Sequence, residues 1–270
     1  MLTWLISISI TLIGVYLLVC LIFLLIQEKL IFVGKRHPQD HHYRLASDYM
    51  EIALTTTQNG SIAGIHIPKD QAQAVVLYLH GNTGSLERWC YMAEELTTFG
   101  LEVYAIDYRG YGKSRGKRSE AVMLQDVKVW SEYIRQSHPD IPFLIYGRSL
   151  GTGFAIPVAT ETEVNALVLE TPFDSLLDVA QRNFPFLPNR WLLRYPFRSD
   201  EKINQTDCPI LIMHGTKDKV VPYPSALKLY NRVAHRSDAK MVTIQGAKHS
   251  NLNAFPLYRE ALSEFIAELQ

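Results

Sequence analysis

Tyr146-Gly147-Arg148-Ser149-Leu150-Gly151 is the stretch on which the reading of this chain turns. It follows Pro142–Tyr146, a short apolar run suited to a buried strand, and opens a helix expected over Ser149–Ala159. G-x-S-x-G between a strand and a helix puts the serine on a sharp, strained turn. Glycines at 147 and 151 let strand and helix pack closely, and the Ser149 hydroxyl is left exposed. The helix N-terminus then points at the reaction centre, and the Leu150 N–H is expected to stabilise an oxyanion.

A serine hydroxyl is a poor nucleophile at neutral pH and needs a base. Of nine histidines, His249 falls just after the last expected strand, in Gly246-Ala247-Lys248-His249-Ser250. It is the expected base. The base needs an orienting carboxylate, and Asp218 in His214-Gly215-Thr216-Lys217-Asp218 follows another strand. Asp174 is the rival acid. The chain order Ser149, Asp218, His249 is the Ser…Asp…His order of α/β-hydrolases. A second oxyanion donor is expected from His80-Gly81-Asn82-Thr83-Gly84, with the N–H of Asn82 first and Thr83 second. His80 and His214 read as structural hydrogen-bonding residues, and Asp107 as a loop anchor.

Outward from this motif, strands and helices alternate. Met50–Thr57 and Ser61–Pro68 read as an antiparallel pair turning at Asn59-Gly60. Strands are then expected at Ala74–Leu79, Leu101–Tyr108, Pro142–Tyr146, Asn165–Leu169, Pro209–His214 and Lys240–Ile244. Helices are expected at Ser85–Phe99, Ser119–Gln136, Ser149–Ala159, Pro224–Val233 and Leu252–Leu269. This rhythm predicts an α/β fold: a mostly parallel sheet with helices on both faces and a site at the strand carboxyl ends.

Composition narrows the function. The 270 residues carry 27 Lys plus Arg against 27 Asp plus Glu, so there is no excess positive charge to neutralise nucleic-acid phosphates. Three Cys exclude a disulfide scaffold, and the lack of any C-x-x-C pair argues against a cysteine zinc site. No metal and no cofactor is expected.

Residues 1–27 hold no Asp, Glu, Lys or Arg. As a helix, Met1–Ile26 would span roughly 39 Å, more than the ~30 Å hydrocarbon core. Residues 1–27 are therefore expected to form a single transmembrane anchor. A cleaved signal peptide fits less well, since a basic n-region and a small-residue cleavage site are lacking. Lys29, Lys35, Arg36 and Arg44 follow the span, which leans the remainder to the cytoplasmic side. Residues 28–48 read as a polar juxtamembrane connector, with His37, His41 and His42 solvated rather than metal-bound. Residues 49–270 then form one domain.

That domain carries an insertion at about residues 172–207, rich in Pro, aromatic residues and Arg (182, 190, 194 and 198). A loop this long beside the strand ends is expected to be a cap over Ser149. Phe173, Phe184, Phe186 and Trp191 are its expected substrate-binding residues.

The motifs HGNTG (80–84), DYRGYGKSRG (107–116), YGRSLG (146–151), HGTKDKVVP (214–222) and GAKHSN (246–251) together resemble the α/β-hydrolase superfamily over residues 50–270. With the N-terminal anchor, the chain resembles the membrane-anchored BEM46-like and ABHD13/ABHD17-like group, including bacterial members. Lys248 stands where similar proteins often have Gly. The resemblance implies a serine hydrolase with Ser149, Asp218 and His249 as triad, acting on a small acyl ester or thioester, with lipids favoured. Some relatives are serine peptidases, and a peptidase reading a free substrate amine would need Glu170 or Asp174. The third reading is a catalytically silent membrane interaction module.

Overall fold

The computed structural model describes residues 1–269. In chain order the first elements are α1 (Leu2–Ile31), β1 (Val33–Gly34), β2 (Met50–Thr56), β3 (Gly60–Ile67), β4 (Ala74–Leu79), β5 (Thr83–Gly84), α2 (Leu86–Thr97) and β6 (Leu101–Ile106). Next come α3 (Glu120–Ser137), β7 (Phe143–Arg148), α4 (Leu150–Ala159) and β8 (Ala166–Glu170). The insertion holds α5 (Leu176–Asn183), α6 (Asn189–Leu192) and α7 (Ser199–Lys202). The chain closes with β9 (Ile210–Gly215), α8 (Tyr223–Tyr230), β10 (Ala239–Ile244) and α9 (Pro256–Ala267).

One eight-stranded sheet has the order β10-β9-β8-β7-β4-β6-β3-β2. Its strands are parallel except where β3 pairs antiparallel with β2 and β6. The inner strands β4, β6, β7, β8 and β9 are buried along their whole length, which their unbroken apolar runs require. Trp130 of α3 and Phe154 of α4 pack into one apolar layer, and Trp89 of α2 and Tyr258 of α9 into a second. From β4 the chain builds β6 on one side and then returns to place β7 on the other. The crevice at this switch point, between the carboxyl ends of β4 and β7, is where an open α/β sheet binds its ligand.

Two local expectations need correction. The β2–β3 turn centres on Gln58 and Asn59, both at positive φ, and not on Asn59-Gly60. Gly60 already lies in β3, and a Cβ there would collide with the buried Arg109 guanidinium. The last helix is interrupted: Leu252–Ala254 form a 3-10 turn, Phe255 is extended, and α9 starts at Pro256. Proline disfavours a helical residue before it and suits the first helical turn.

The N-terminal region departs further from expectation. α1 runs to Ile31, past the expected end of the span. At ~1.5 Å per residue it is about 45 Å long, enough to cross a membrane. Only Cys20, Phe23 and Gln27 on it are buried, and their spacing marks one stripe. The connector 28–48 is not a solvated linker, because Phe32, His37 and Tyr43 are buried. β1 pairs in parallel with β5, His37 Nε2 lies 2.9 Å from Ser85 Oγ, and its ring stacks on His41 at 4.0 Å. A polar segment can bury itself in this way when its backbone groups find partners. Here Val33 N donates to Asn82 O (3.0 Å) and Gly112 N to Lys35 O (2.8 Å).

Candidate active site

Ser149 sits between β7 and α4 with φ 50° and ψ −114°, a left-handed conformation unfavourable for any residue with a Cβ. The flanking glycines explain how the turn fits. A Cβ on Gly147 would lie 2.8 Å from Thr152 Cα and Gly151 O, and one on Gly151 would collide with the Leu79 carbonyl. The Ser149 N–H is held by Glu170 O at 2.9 Å, which ties the turn to the end of β8.

Three side chains from three strand ends meet here. His249 Nε2 lies 3.0 Å from Ser149 Oγ, and His249 Nδ1 lies 2.7 Å from Asp218 Oδ2. With Nδ1 donating to the carboxylate, Nε2 carries the lone pair that can accept the serine proton. Asp218 Oδ1 accepts the amides of Val220 (2.8 Å) and Val221 (2.9 Å), so both its oxygens are used. Burial alone would raise the Asp218 pKa. Hydrogen bonds from His214 and His249, the His249 charge and the Val221 amide outweigh it and hold the pKa well below the ordinary carboxylate range. His214 Nε2 is 3.2 Å from Asp218 Oδ2 and 2.8 Å from Val221 O, so His214 supports the carboxylate. The rival Asp174 is elsewhere engaged, with Lys228 at 3.0 Å and Arg232 at 3.2 Å.

The residue between Gly147 and Ser149 also has a structural task. Arg148 Nη2 donates to the His249 carbonyl at 3.3 Å, while Nη1 lies 3.1 Å from Glu170 Oε1. Burial opposes the Arg148 charge, but the Glu170 carboxylate outweighs it and pushes the pKa up. The His249 loop itself turns at Gly246 (φ 81°), and Asn251 Oδ1 accepts the Lys248 amide at 2.7 Å. Lys248 therefore needs no glycine-like conformation of its own.

On the β4 side, the Asn82 carbonyl accepts from Val33 N (3.0 Å) and from the Tyr111 hydroxyl (2.7 Å). Asn82, Ser149 and Leu150 line one cavity of about 200 Å³. Its lining is mostly apolar and includes Phe173, Val179 and Phe184. Of the four expected substrate-binding residues, Phe173 and Phe184 line this cavity. Phe186 and Trp191 do not: they are 61% and 83% exposed and stand on the outer surface of the insertion. Sequence reasoning missed a wall of the cavity, made by Phe23, Gln27, Leu30 and Ile31 of α1. The one available signal was Gln27, a polar residue closing an apolar run on the same helical face as Cys20 and Phe23.

A separate group, His66, Glu102 and His138, gathers metal-capable atoms within 4.8 Å of one another. Glu102 is near the start of β6, so this group lies at the opposite end of the parallel strands from Ser149. His66 Nε2 bonds Glu102 Oε1 at 2.5 Å, and His138 Nε2 lies 2.9 Å from the Tyr104 hydroxyl. His66 and Glu102 are thus paired with each other, and His138 with Tyr104.

Residues 70–194 match the family described as serine aminopeptidase, S33. The chain is 31% identical over 220 residues to the lysophosphatidylserine lipase ABHD12 of Danio rerio, covering 71% of this chain and 58% of that one. It is 30% identical over 225 residues to α/β-hydrolase domain-containing protein 17C of Xenopus tropicalis, covering 82% of this chain and 71% of that one. The chain thus spans little more than half the length of the lipase it matches. Among solved structures, the Pyrococcus furiosus esterase Pf2001 superposes with a TM-score of 0.69 at 26% identity, covering 87% of this chain and 96% of that one. A strand order with its switch point at Ser149, read with these relatives, leads to one assignment: the chain belongs to the α/β-hydrolases, in their ABHD/BEM46-like branch.

Proposed function

We propose that this chain is a membrane-anchored serine hydrolase that cleaves acyl esters or thioesters, with lipid-like substrates favoured. The observation that carries the reading is the line from Asp218 through His249 to Ser149 Oγ, opening into an apolar cavity. Ser149 Oγ attacks the acyl carbonyl carbon and its proton passes to His249 Nε2. The N–H groups of Leu150 and Asn82 bind the oxyanion. As the carbonyl reforms, the bond to the leaving group breaks and His249 protonates the departing atom. Water, deprotonated by His249, then cleaves the acyl-enzyme and restores Ser149. Asp218 holds the imidazole tautomer throughout. Relatives named as lipase and esterase support this chemistry.

In this reading α1 is the single membrane anchor and the segment 172–207 is the cap. Lys29, Lys35 and Arg36 near the end of α1 favour a cytoplasmic domain.

The peptidase reading takes its support from the name of the matching family. Two observations weigh against an aminopeptidase. Glu170 is fully buried against Arg148 and the Tyr146 hydroxyl (2.8 Å). Asp174 is taken by Lys228 and Arg232. Neither carboxylate is free to receive a substrate ammonium.

The test is an ester series from acetyl to palmitoyl beside an aminoacyl amide, using the full chain with Ser149→Ala as blank. Turnover of esters that depends on Ser149 is expected. Cleavage of the amide in preference to every ester would shift the assignment to the peptidase.

A further inference from the structure

α1 does more than tether. The Tyr16 hydroxyl donates to Phe186 O (3.0 Å), Gln27 Nε2 to Leu192 O (3.1 Å) and the Tyr195 hydroxyl to Glu28 Oε1 (2.8 Å). Arg194 N returns a bond to Gln27 Oε1 at 2.8 Å, and Cys20, Phe23 and Leu187 form a small apolar cluster between the same two elements. The insertion is therefore docked along α1 from residue 16 to residue 28, about 18 Å of helix.

Depth follows from length. A span of ~30 Å takes about 20 helical residues, so hydrocarbon starting as early as Leu2 reaches about residue 22. Tyr16 then lies ~9 Å inside that boundary, and Phe186 lies beside it. This matches the ~5–10 Å to which interfacial elements sink their apolar faces. The outward residues there are Phe186 and Trp191, followed on α6 and α1 by the exposed cations Arg190 and Lys29. Aromatic side chains with adjoining Lys or Arg are what the membrane–water boundary selects.

The cavity fits the same placement. Among its lining residues, Leu30, Asn183 and Val220 are exposed, which puts its mouth at the base of α1. From there Gln27 and Phe23 carry its wall along the helix toward the lipid, Phe23 lying at about the hydrocarbon boundary.

We propose that the outer rim of the insertion sits in the lipid boundary and that the acyl substrate enters the cavity laterally from the bilayer, sliding along α1 to Ser149. The partner surface is a lipid bilayer, and α1 is one wall of the acyl site. This rests on the hydrolase reading above for its substrate, but the seating of the rim has its own readout.

The experiment reconstitutes the full chain in phosphatidylcholine vesicles containing methylumbelliferyl palmitate, with the water-soluble methylumbelliferyl acetate as companion. At fixed mole fraction, palmitate turnover is expected to be independent of bulk concentration. The double variant Phe186→Ser/Trp191→Ser is expected to lower palmitate turnover about tenfold or more, the order of one lost aromatic burial, and to leave acetate turnover unchanged. Brominated phosphatidylcholine is expected to quench the fluorescence that is lost in Trp191→Phe. A palmitate rate that follows bulk concentration, or that ignores the double variant, overturns lateral entry. Absence of Trp191 quenching overturns the seating even if no ester is cleaved. Loss of acetate turnover in wild type, with quenching intact, indicts the hydrolase reading instead.

Discussion

The imidazole of His80 turns back on its own chain, and its Nδ1 donates to the carbonyl oxygen of Gly81 at 2.7 Å. In a trans peptide the carbonyl and the following N–H point in opposite directions. Fixing the Gly81 carbonyl therefore fixes where the Asn82 N–H aims. The far ring nitrogen lies 3.2 Å from Asp107 Oδ1, which also receives the Leu86 amide at 2.9 Å, so the ring itself cannot swing. His80 acts as a positioning residue for the proposed oxyanion donor. His80→Ala is expected to lower kcat by ~10²-fold with KM within a few-fold, the scale of losing one oxyanion donor. His80→Asn keeps a donor near the Nδ1 position and is expected to recover part of kcat. A fall confined to stability, with kcat intact, would refute the role.

Backbone strain at Ser149 offers a second test. Its φ of 50° costs a residue with a Cβ on the order of 1–3 kcal/mol, and glycine escapes that cost. Ser149→Gly is expected to unfold at a higher temperature than Ser149→Ala while both lack turnover. Equal melting temperatures would show that the turn is not strained.

Where β4 meets α4, Gly151 lies against the Leu79 carbonyl, with no room for a Cβ. The neighbour is backbone in the central strand and cannot rotate away. Gly151→Ala is expected to destabilise by at least ~3 kcal/mol, at the upper end of overpacking costs, as measured by urea unfolding. A variant as stable as wild type would mean that the strand–helix contact is looser than described.

Asp218 links the site to acid stability. Its pKa is held below the ordinary value, so the folded state prefers the ionised form. Its contribution is complete above the unfolded-state value of about 4 and is lost as pH falls below it, since the unfolded chain takes up the proton first. Wild type is therefore expected to lose its stability advantage over Asp218→Asn progressively as the pH falls below about 4. At neutral pH the same variant is expected to reduce kcat by about 10³–10⁴-fold through the wrong His249 tautomer. An advantage over Asn that is unchanged down to pH 2 would contradict the assignment of the shift.

Sequence alone determined the parallel sheet, the strand–serine–helix turn and the three residues that converge on it. These rest on local patterns: buried runs, glycines where a Cβ cannot fit, and polar residues at strand ends. The same reading set Asp218 ahead of Asp174, although the Ser…Asp…His order fits both; in the fold Asp218 meets His249, and Asp174 is paired with Lys228 and Arg232. Tertiary structure alone decided what surrounds the cavity. Phe184 and Phe186 are two residues apart in a segment without regular periodicity, yet one lines the cavity and the other faces outward. The burial of Phe32, His37 and Tyr43 and the docking of α1 on the insertion depend on contacts between distant segments, such as Val33 with Asn82 and Gln27 with Leu192. A transmembrane pattern records apolar length, which lipid demands of every face. Gln27 is its one polar mark of the stripe that, in the folded chain, becomes a wall of the cavity.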